Sequence, residues 1–180
     1  LLGTTMASNL RQEYDPVFDS TPPTRDDEEL QRAGVHVVRG FLSEEQQDQF
    51  YHQLLAHAKD TWELAQLEAT GPPFPAAPFP FLMYNNPTTK TGNLSDAPDF
   101  ALELATEAYE TARNEEVAPP PKALDSCHAQ LYPDGGEMAP HKDTGGTWGL
   151  SISLGAAALF RVDEHVLELR SGDVVIADFG

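Results

Sequence analysis

The chain has 180 residues, 40% of them apolar, which is enough for one hydrophobic core and too little for two of ordinary size. Its 29 acidic residues against 11 basic ones leave a net charge of -18, so nucleic acid cannot be held along the whole surface; any such contact has to be local, and no run of Lys or Arg supplies one. No apolar run is long enough to span a bilayer and the first residues lack the order of a secretion signal, so an intracellular protein with no membrane partner is expected.

In chain order, residues 1–24 are expected to form a disordered arm. The residues before Met6 show no periodicity and read as an expression remnant, and the acidic stretch "EYDPVFDSTPPTRDDEEL" has few large apolar side chains to offset the entropy of ordering. From about Asp26 a short helix is predicted to Ala33, with Gly34 placed to end it in the left-handed conformation. "VHVVR" then reads as a strand. Ser43 followed by Gln46 is a capping box, and Phe50, Leu54, Leu55 and Ala58 recur on one face, which predicts an amphipathic helix. The five prolines in and around "GPPFPAAPFPF" predict a stiff loop that sustains neither a helix nor a central strand. Pro98 suits a first turn, and Ala101, Ala105, Ala108 and Ala112 follow at helical intervals.

From Ser126 the texture changes to short β segments: "SCHAQLYP", "DGGEMAPHKD", "WGLSISLG", "AALFRV", "HVLELR" and "DVVIADF". Helices first and strands after imply an α+β protein, with the sheet curled into a jelly roll or similar barrel behind flanking N-terminal helices. The last residue, Gly180, lies in or just after an apolar strand, so residues 25–180 are expected to be one domain lacking a C-terminal portion. Cys127 is the single cysteine; it cannot form an internal disulfide, and its strand-like neighbours predict a buried, inert thiol.

His141 and Asp143 are the first candidates for chemistry. Two residues apart on an extended chain, their side chains leave the same face and can reach one metal ion; imidazole plus carboxylate suits Fe(II). By itself the spacing is weak, arises often by chance and is more commonly a polar strand end. The surroundings carry more information. "GVHVVRGFLSEEQ", "QLYPDGGEMAPHKD", "WGLSISLGAAALFRV" and "LELRSGDVVIADFG" follow one another between Val35 and Gly180, and in this order they resemble the AlkB-like family of Fe(II)/2-oxoglutarate dioxygenases. That family's pattern is an N-x-Y strand, a proline and glycine turn, H-x-D, an S-x-S-L-G strand and a G-D-V-V strand.

The resemblance implies a double-stranded β-helix, Fe(II) and 2-oxoglutarate as cofactors, and His141 and Asp143 as metal ligands. It matches Tyr132 to a tyrosine whose hydroxyl contacts 2-oxoglutarate, sets Gln130 where the family usually has asparagine, and places Ser151 near the cosubstrate, although a strand serine also bonds locally. Gly172 and Asp173 match a turn, with Asp173 a turn former. A second metal histidine and two arginines come after the G-D-V-V strand in the family, so a missing C-terminal segment or a second polypeptide is expected to complete the site. His165, read as a loop residue, and His36, His52, His57 and His128 are poor substitutes.

The implied substrate is an N-methylated nucleobase in DNA or RNA, flipped and stacked on Tyr84 and Trp148 beside Met83, unless these are ordinary packing residues. Gly145 stands where the resembled bacterial enzyme has an acidic residue, and the charge of -18 disfavours a duplex on the surface. A 2-oxoglutarate oxygenase acting on a protein side chain or small molecule, or a non-catalytic jelly-roll binding module, therefore stand as alternatives.

Overall fold

The computed structural model describes residues 2–7, 25–58, 79–84, 93–114, 124, 126–132, 137–142, 148–163 and 165–178. Helix α1, Arg25–Arg32, ends where Gly34 takes φ +83, and Leu30 on it is buried. Strand β2, His36–Val38, follows. Helix α2, Glu44–Ala58, starts with the expected reciprocal cap: the Ser43 amide donates to Gln46 Oε1 at 2.9 Å and the Gln46 amide to Ser43 Oγ at 3.2 Å. Phe50, Tyr51 and Leu54 make its buried face; the side chains of Leu55 and Ala58 lie outside the described residues. Helix α3, Asp99–Asn114, buries all four predicted alanines, a stripe without bulk that lets the helix lie close against the sheet. Phe50 and Phe100 meet edge to face at 5.4 Å and join α2 to α3.

The strands are β1 (Leu2–Ala7), β3 (Phe79–Tyr84), β4 (Cys127–Tyr132), β5 (Trp148–Gly155), β6 (Ala158–Val162), β7 (His165–Leu169) and β8 (Val174–Asp178). Six form one sheet in the order β2-β8-β5-β1-β4-β3; β6 and β7 form a separate antiparallel hairpin. Helices together with a mainly antiparallel sheet make the protein α+β, as its sequence predicts.

Several expectations are corrected. Residues 2–7, expected in a disordered arm, form β1, which runs parallel to both β4 and β5 and joins the two halves of the sheet; residues 8–24 lie outside the described ones. The end of the proline-rich stretch, expected as loop, begins β3. An edge position explains how: Pro80 needs no ladder hydrogen bond on its outer side, and the register slips between Pro80 and Leu82. Residues 137–142, expected as strand, are irregular, and His165 opens β7 instead of sitting in the preceding turn.

β8 has both faces covered. Val174 and Ile176 join Leu150, Ile152, Leu154, Cys127 and Ala129 against α2 and α3, whereas Val175 and Ala177 pack with Leu30, Val35 and the hairpin residues Leu167 and Leu169. Double coverage is why "VVIA" reads as an unbroken apolar run. Its lead-in turn is tied down by charge. Arg39 donates to Asp27 at 2.7 and 3.2 Å, to Asp173 at 2.7 Å and to the Glu168 carbonyl at 2.6 Å; Asp173 also accepts from the Gly40 and Arg170 amides, both at 2.9 Å. Burial alone would depress the Arg39 pKa, but its hydrogen bonds with Asp27 and Asp173 outweigh that and hold it above the ordinary value. Gly172 in the same turn sits at φ +85, and a Cβ there would come within 2.9 Å of the Leu42 carbonyl and 2.6 Å of Gln47 Nε2.

Candidate functional site

Strand alternation sorts the candidate residues into two faces. On β4, Cys127 and Ala129 are buried toward the helices, so His128, Gln130 and Tyr132, all half-buried, belong to the opposite face. β1 carries the register across to β5: His128 is level with Gly3 and Ser151, Gln130 with Thr5 and Ser153, and Tyr132 with Ala7 and Gly155. Gln130, Tyr132 and Ser151 therefore share one face. The hairpin covers this face over β2 and β8; over β5 and β4 the same face carries the polar row.

Within that row the Tyr132 hydroxyl donates to Gln130 Oε1 at 3.1 Å and lies 3.9 Å from Met138 Sδ. Burial pushes the phenol pKa up, so it keeps its proton and acts as a donor at neutral pH.

His141 is exposed on the irregular segment that follows. Its Nδ1 lies 3.0 Å from the Ala139 carbonyl, which can only accept, so Nδ1 carries the proton and the neutral ring's lone pair sits on Nε2. Metal-binding imidazoles are commonly oriented in this way, by a carbonyl on the nitrogen that does not ligate. Asp143 lies outside the described residues, and residues 137–142 before it are not strand, so strand alternation does not set the face of His141.

Of the two aromatic candidates, Trp148 does not join the polar row. Trp148 shares its face with Leu150 and Ile152, packs on the helix-side core, and stacks on His36 with ring centroids 6.0 Å apart at 21°. It is a packing residue separated from Tyr132 and Gln130 by the sheet. The β3 register sets Tyr84 across from Cys127 and Met83 across from His128; the side chains of both lie outside the described residues. Ser151 is half-buried, and Ser153, which no sequence signal separated from it, is buried beside the β8 turn: Gly172 donates to its carbonyl at 2.8 Å.

His36, which sequence could assign only to surface or packing, is buried; its Nδ1 has no hydrogen-bond partner among the described residues, at a cost of roughly 1–3 kcal/mol. Among the described residues no group of three or more His, Cys, Asp and Glu could hold a metal. A complete centre therefore needs Asp143 or other residues outside them.

A family model described as the 2OG-Fe(II) oxygenase superfamily matches residues 34–179, most of the chain. The chain belongs to that superfamily. As a 2OG-Fe(II) oxygenase it takes Fe(II) and 2-oxoglutarate as cofactors. It is also 32% identical over 157 residues to a protein of Acanthamoeba polyphaga mimivirus named probable lanosterol 14-alpha demethylase; the match covers 79% of this chain and 21% of that protein. The chain thus spans about a fifth of that relative's length. No solved structure matches it. The residues of this oxygenase fit its cofactors: one exposed imidazole with its lone pair on Nε2 suits Fe(II), and a protonated phenol beside a carboxamide suits the oxygens of 2-oxoglutarate. Among the described residues no helix is long and apolar enough to cross a membrane.

Proposed function

We propose that this oxygenase is an AlkB-like dioxygenase that oxidatively demethylates N-methylated nucleobases in DNA or RNA, with His141 and Asp143 as metal ligands and Gln130, Tyr132 and Ser151 as the cosubstrate cradle. The observation that carries the reading is the half-buried polar row shared by Gln130, Tyr132 and Ser151, two strands apart on one sheet face beside a hairpin. On this reading the sheet and hairpin are the two walls of a jelly roll, and the helices flank it.

Fe(II) with 2-oxoglutarate and oxygen supplies the oxidation: one oxygen atom enters a C–H bond of the substrate and the other ends in succinate, with release of carbon dioxide. When the carbon is an N-methyl group, the hydroxymethyl product leaves as formaldehyde. His141 Nε2 and the Asp143 carboxylate would hold the metal, with groups outside the described residues completing its shell. Tyr132, whose hydroxyl donates to Gln130 Oε1, and the Gln130 carboxamide would offer hydrogen bonds to oxygens of the cosubstrate. Because burial keeps the phenol protonated, this donor persists through the neutral range.

Two observations favour a second reading, a protein side chain or small molecule as substrate. Trp148, the aromatic expected to stack a flipped base, lies on the other side of the sheet, and the net charge of -18 repels phosphate. The test is to incubate the full chain with Fe(II), 2-oxoglutarate and a panel of methylated single- and double-stranded oligomers, with lanosterol added to the panel because of the viral relative's name. Formaldehyde released from an oligomer supports the first reading. Succinate formed without formaldehyde from any oligomer moves the proposal to the second. If no Fe(II)-dependent succinate forms under any condition, both fail and a binding module takes their place.

A further inference from the structure

The polar row has a wall and a floor. Registered through β1, three levels cross the sheet on this face: His128, Gly3 and Ser151; then Gln130, Thr5 and Ser153; then Tyr132, Ala7 and Gly155. The three long residues all stand on β4, whereas each position of these levels on β1 and β5 is a glycine, alanine, serine or threonine. Beyond β5 the hairpin rises over β8, where Val175, level with Ser151, packs with Leu167 and Leu169. The pattern makes a trough. Its floor is β1 and β5, which lie side by side between β4 and β8, so its two walls are three strand spacings apart, about 14 Å.

Tyr132 and His128, both half-buried, mark the ends of the β4 wall. Along the strand their positions are about 13 Å apart. Extended 2-oxoglutarate, a five-carbon dicarboxylate, measures about 7 Å between its outermost oxygens, and a hydrogen bond of about 2.8 Å at each end brings its reach to about 13 Å. Tyr132 offers a phenol that keeps its proton, and an imidazole N–H is a donor in either charge state of the ring. We propose that His128 is a cosubstrate contact: Tyr132 and His128 each donate to one carboxylate, Gln130 lies along the chain between them, and the spacing of the two donors selects a five-carbon dicarboxylate. This rests on the reading of the polar row as the cosubstrate cradle.

The test measures, by calorimetry under anaerobic conditions with Fe(II), the binding of 2-oxoglutarate, glutarate, succinate and pentanoate to the full chain, with thermal melts alongside. Glutarate keeps both carboxylates without the oxo group, succinate is one carbon shorter, and pentanoate keeps a single carboxylate. The parent is expected to bind glutarate about tenfold more tightly than succinate or pentanoate. His128→Leu should weaken 2-oxoglutarate and glutarate about tenfold, and pentanoate, which still has the Tyr132 end, no more than about twofold; His128→Gln, which keeps an N–H donor, should recover most of the loss. Gly3→Val puts a strand-favouring side chain on the floor beside His128 and should weaken both five-carbon dicarboxylates without lowering the melting point.

Unchanged glutarate affinity in His128→Leu overturns the proposal, and so does an equal loss for pentanoate, which is what a merely structural role of His128 would give. A Gly3→Val chain that melts like the parent and binds glutarate equally well also overturns it, because the ligand then lies elsewhere. If Tyr132→Phe weakens 2-oxoglutarate and His128→Leu does not, the cradle stands and His128 alone leaves it. If neither variant changes the affinity, or the parent binds no 2-oxoglutarate, the cradle reading fails and the role of His128 with it.

Discussion

Along β5 and β8, Leu150, Ile152, Val174 and Ile176 are sealed under α2 and α3, while Ser151, one residue away from both Leu150 and Ile152, stands in a half-buried polar row with Gln130 and Tyr132. β5 thus carries a packed face and, one residue on, the polar face proposed to bind the cosubstrate, separated by nothing more than the period of two, whereas β8 is packed on both. This division means that substitutions on the two sides should have different signatures. Helix-side changes should move the melting point, and polar-row changes should move cofactor binding at constant melting point.

The largest effect is expected on the helix side. Ile152→Ala, at a site with no exposure, should cost about 3 kcal/mol in chemical denaturation, and Ala105→Leu, which overfills the contact of α3 with the sheet, about 2 kcal/mol. Asp173→Ala should cost about 3 kcal/mol, because it leaves Arg39 facing Asp27 alone and strips the acceptor from the Gly40 and Arg170 amides. On the polar row, Tyr132→Phe should weaken 2-oxoglutarate binding about tenfold, as one hydrogen bond of roughly 1.4 kcal/mol does, with the melting point nearly unchanged. A large drop in melting point for Tyr132→Phe, with cofactor affinity intact, would erase the distinction between the faces.

Smaller effects sharpen it. His36 is uncharged in the fold and its pKa lies below the ordinary 6.5, so the unfolded chain takes up a proton there first as pH falls. Its contribution to stability is therefore complete above about pH 6.5 and is lost as the pH falls below that value; His36→Phe should flatten that part of a stability-pH profile. Cys127 is 5% exposed and burial pushes its thiol up to about 12. Iodoacetamide at pH 8 should label it only in denaturant.

Much of this was legible in the sequence because it depends on neighbours along the chain. The Ser43–Gln46 cap, the alanine period of α3, the Gly34 stop and the apolar alternation of β5 are all local, and each is found in place. What sequence could not supply is which face an alternating strand turns to which layer. "WGLSISLG" predicts two faces, but only the registers through β1 and β8 show that Trp148 goes with the helices and Ser151 with Gln130 and Tyr132. The same holds for Arg39, whose partners Asp27 and Asp173 are 12 and 134 residues away. β3 was hidden for a different reason: prolines argue against a strand until its place at the sheet edge is known. His141 was found by motif, yet the strand expected to carry it is irregular chain, and a carbonyl two residues back sets its tautomer.

Anaerobic Fe(II) binding and succinate formation, measured in the full chain and in Asp143→Ala, decide whether the H-x-D segment is an iron site. The parent should bind iron and turn over 2-oxoglutarate, and both should be lost in the variant with the fold retained. Turnover by Asp143→Ala at the parent's rate would contradict it.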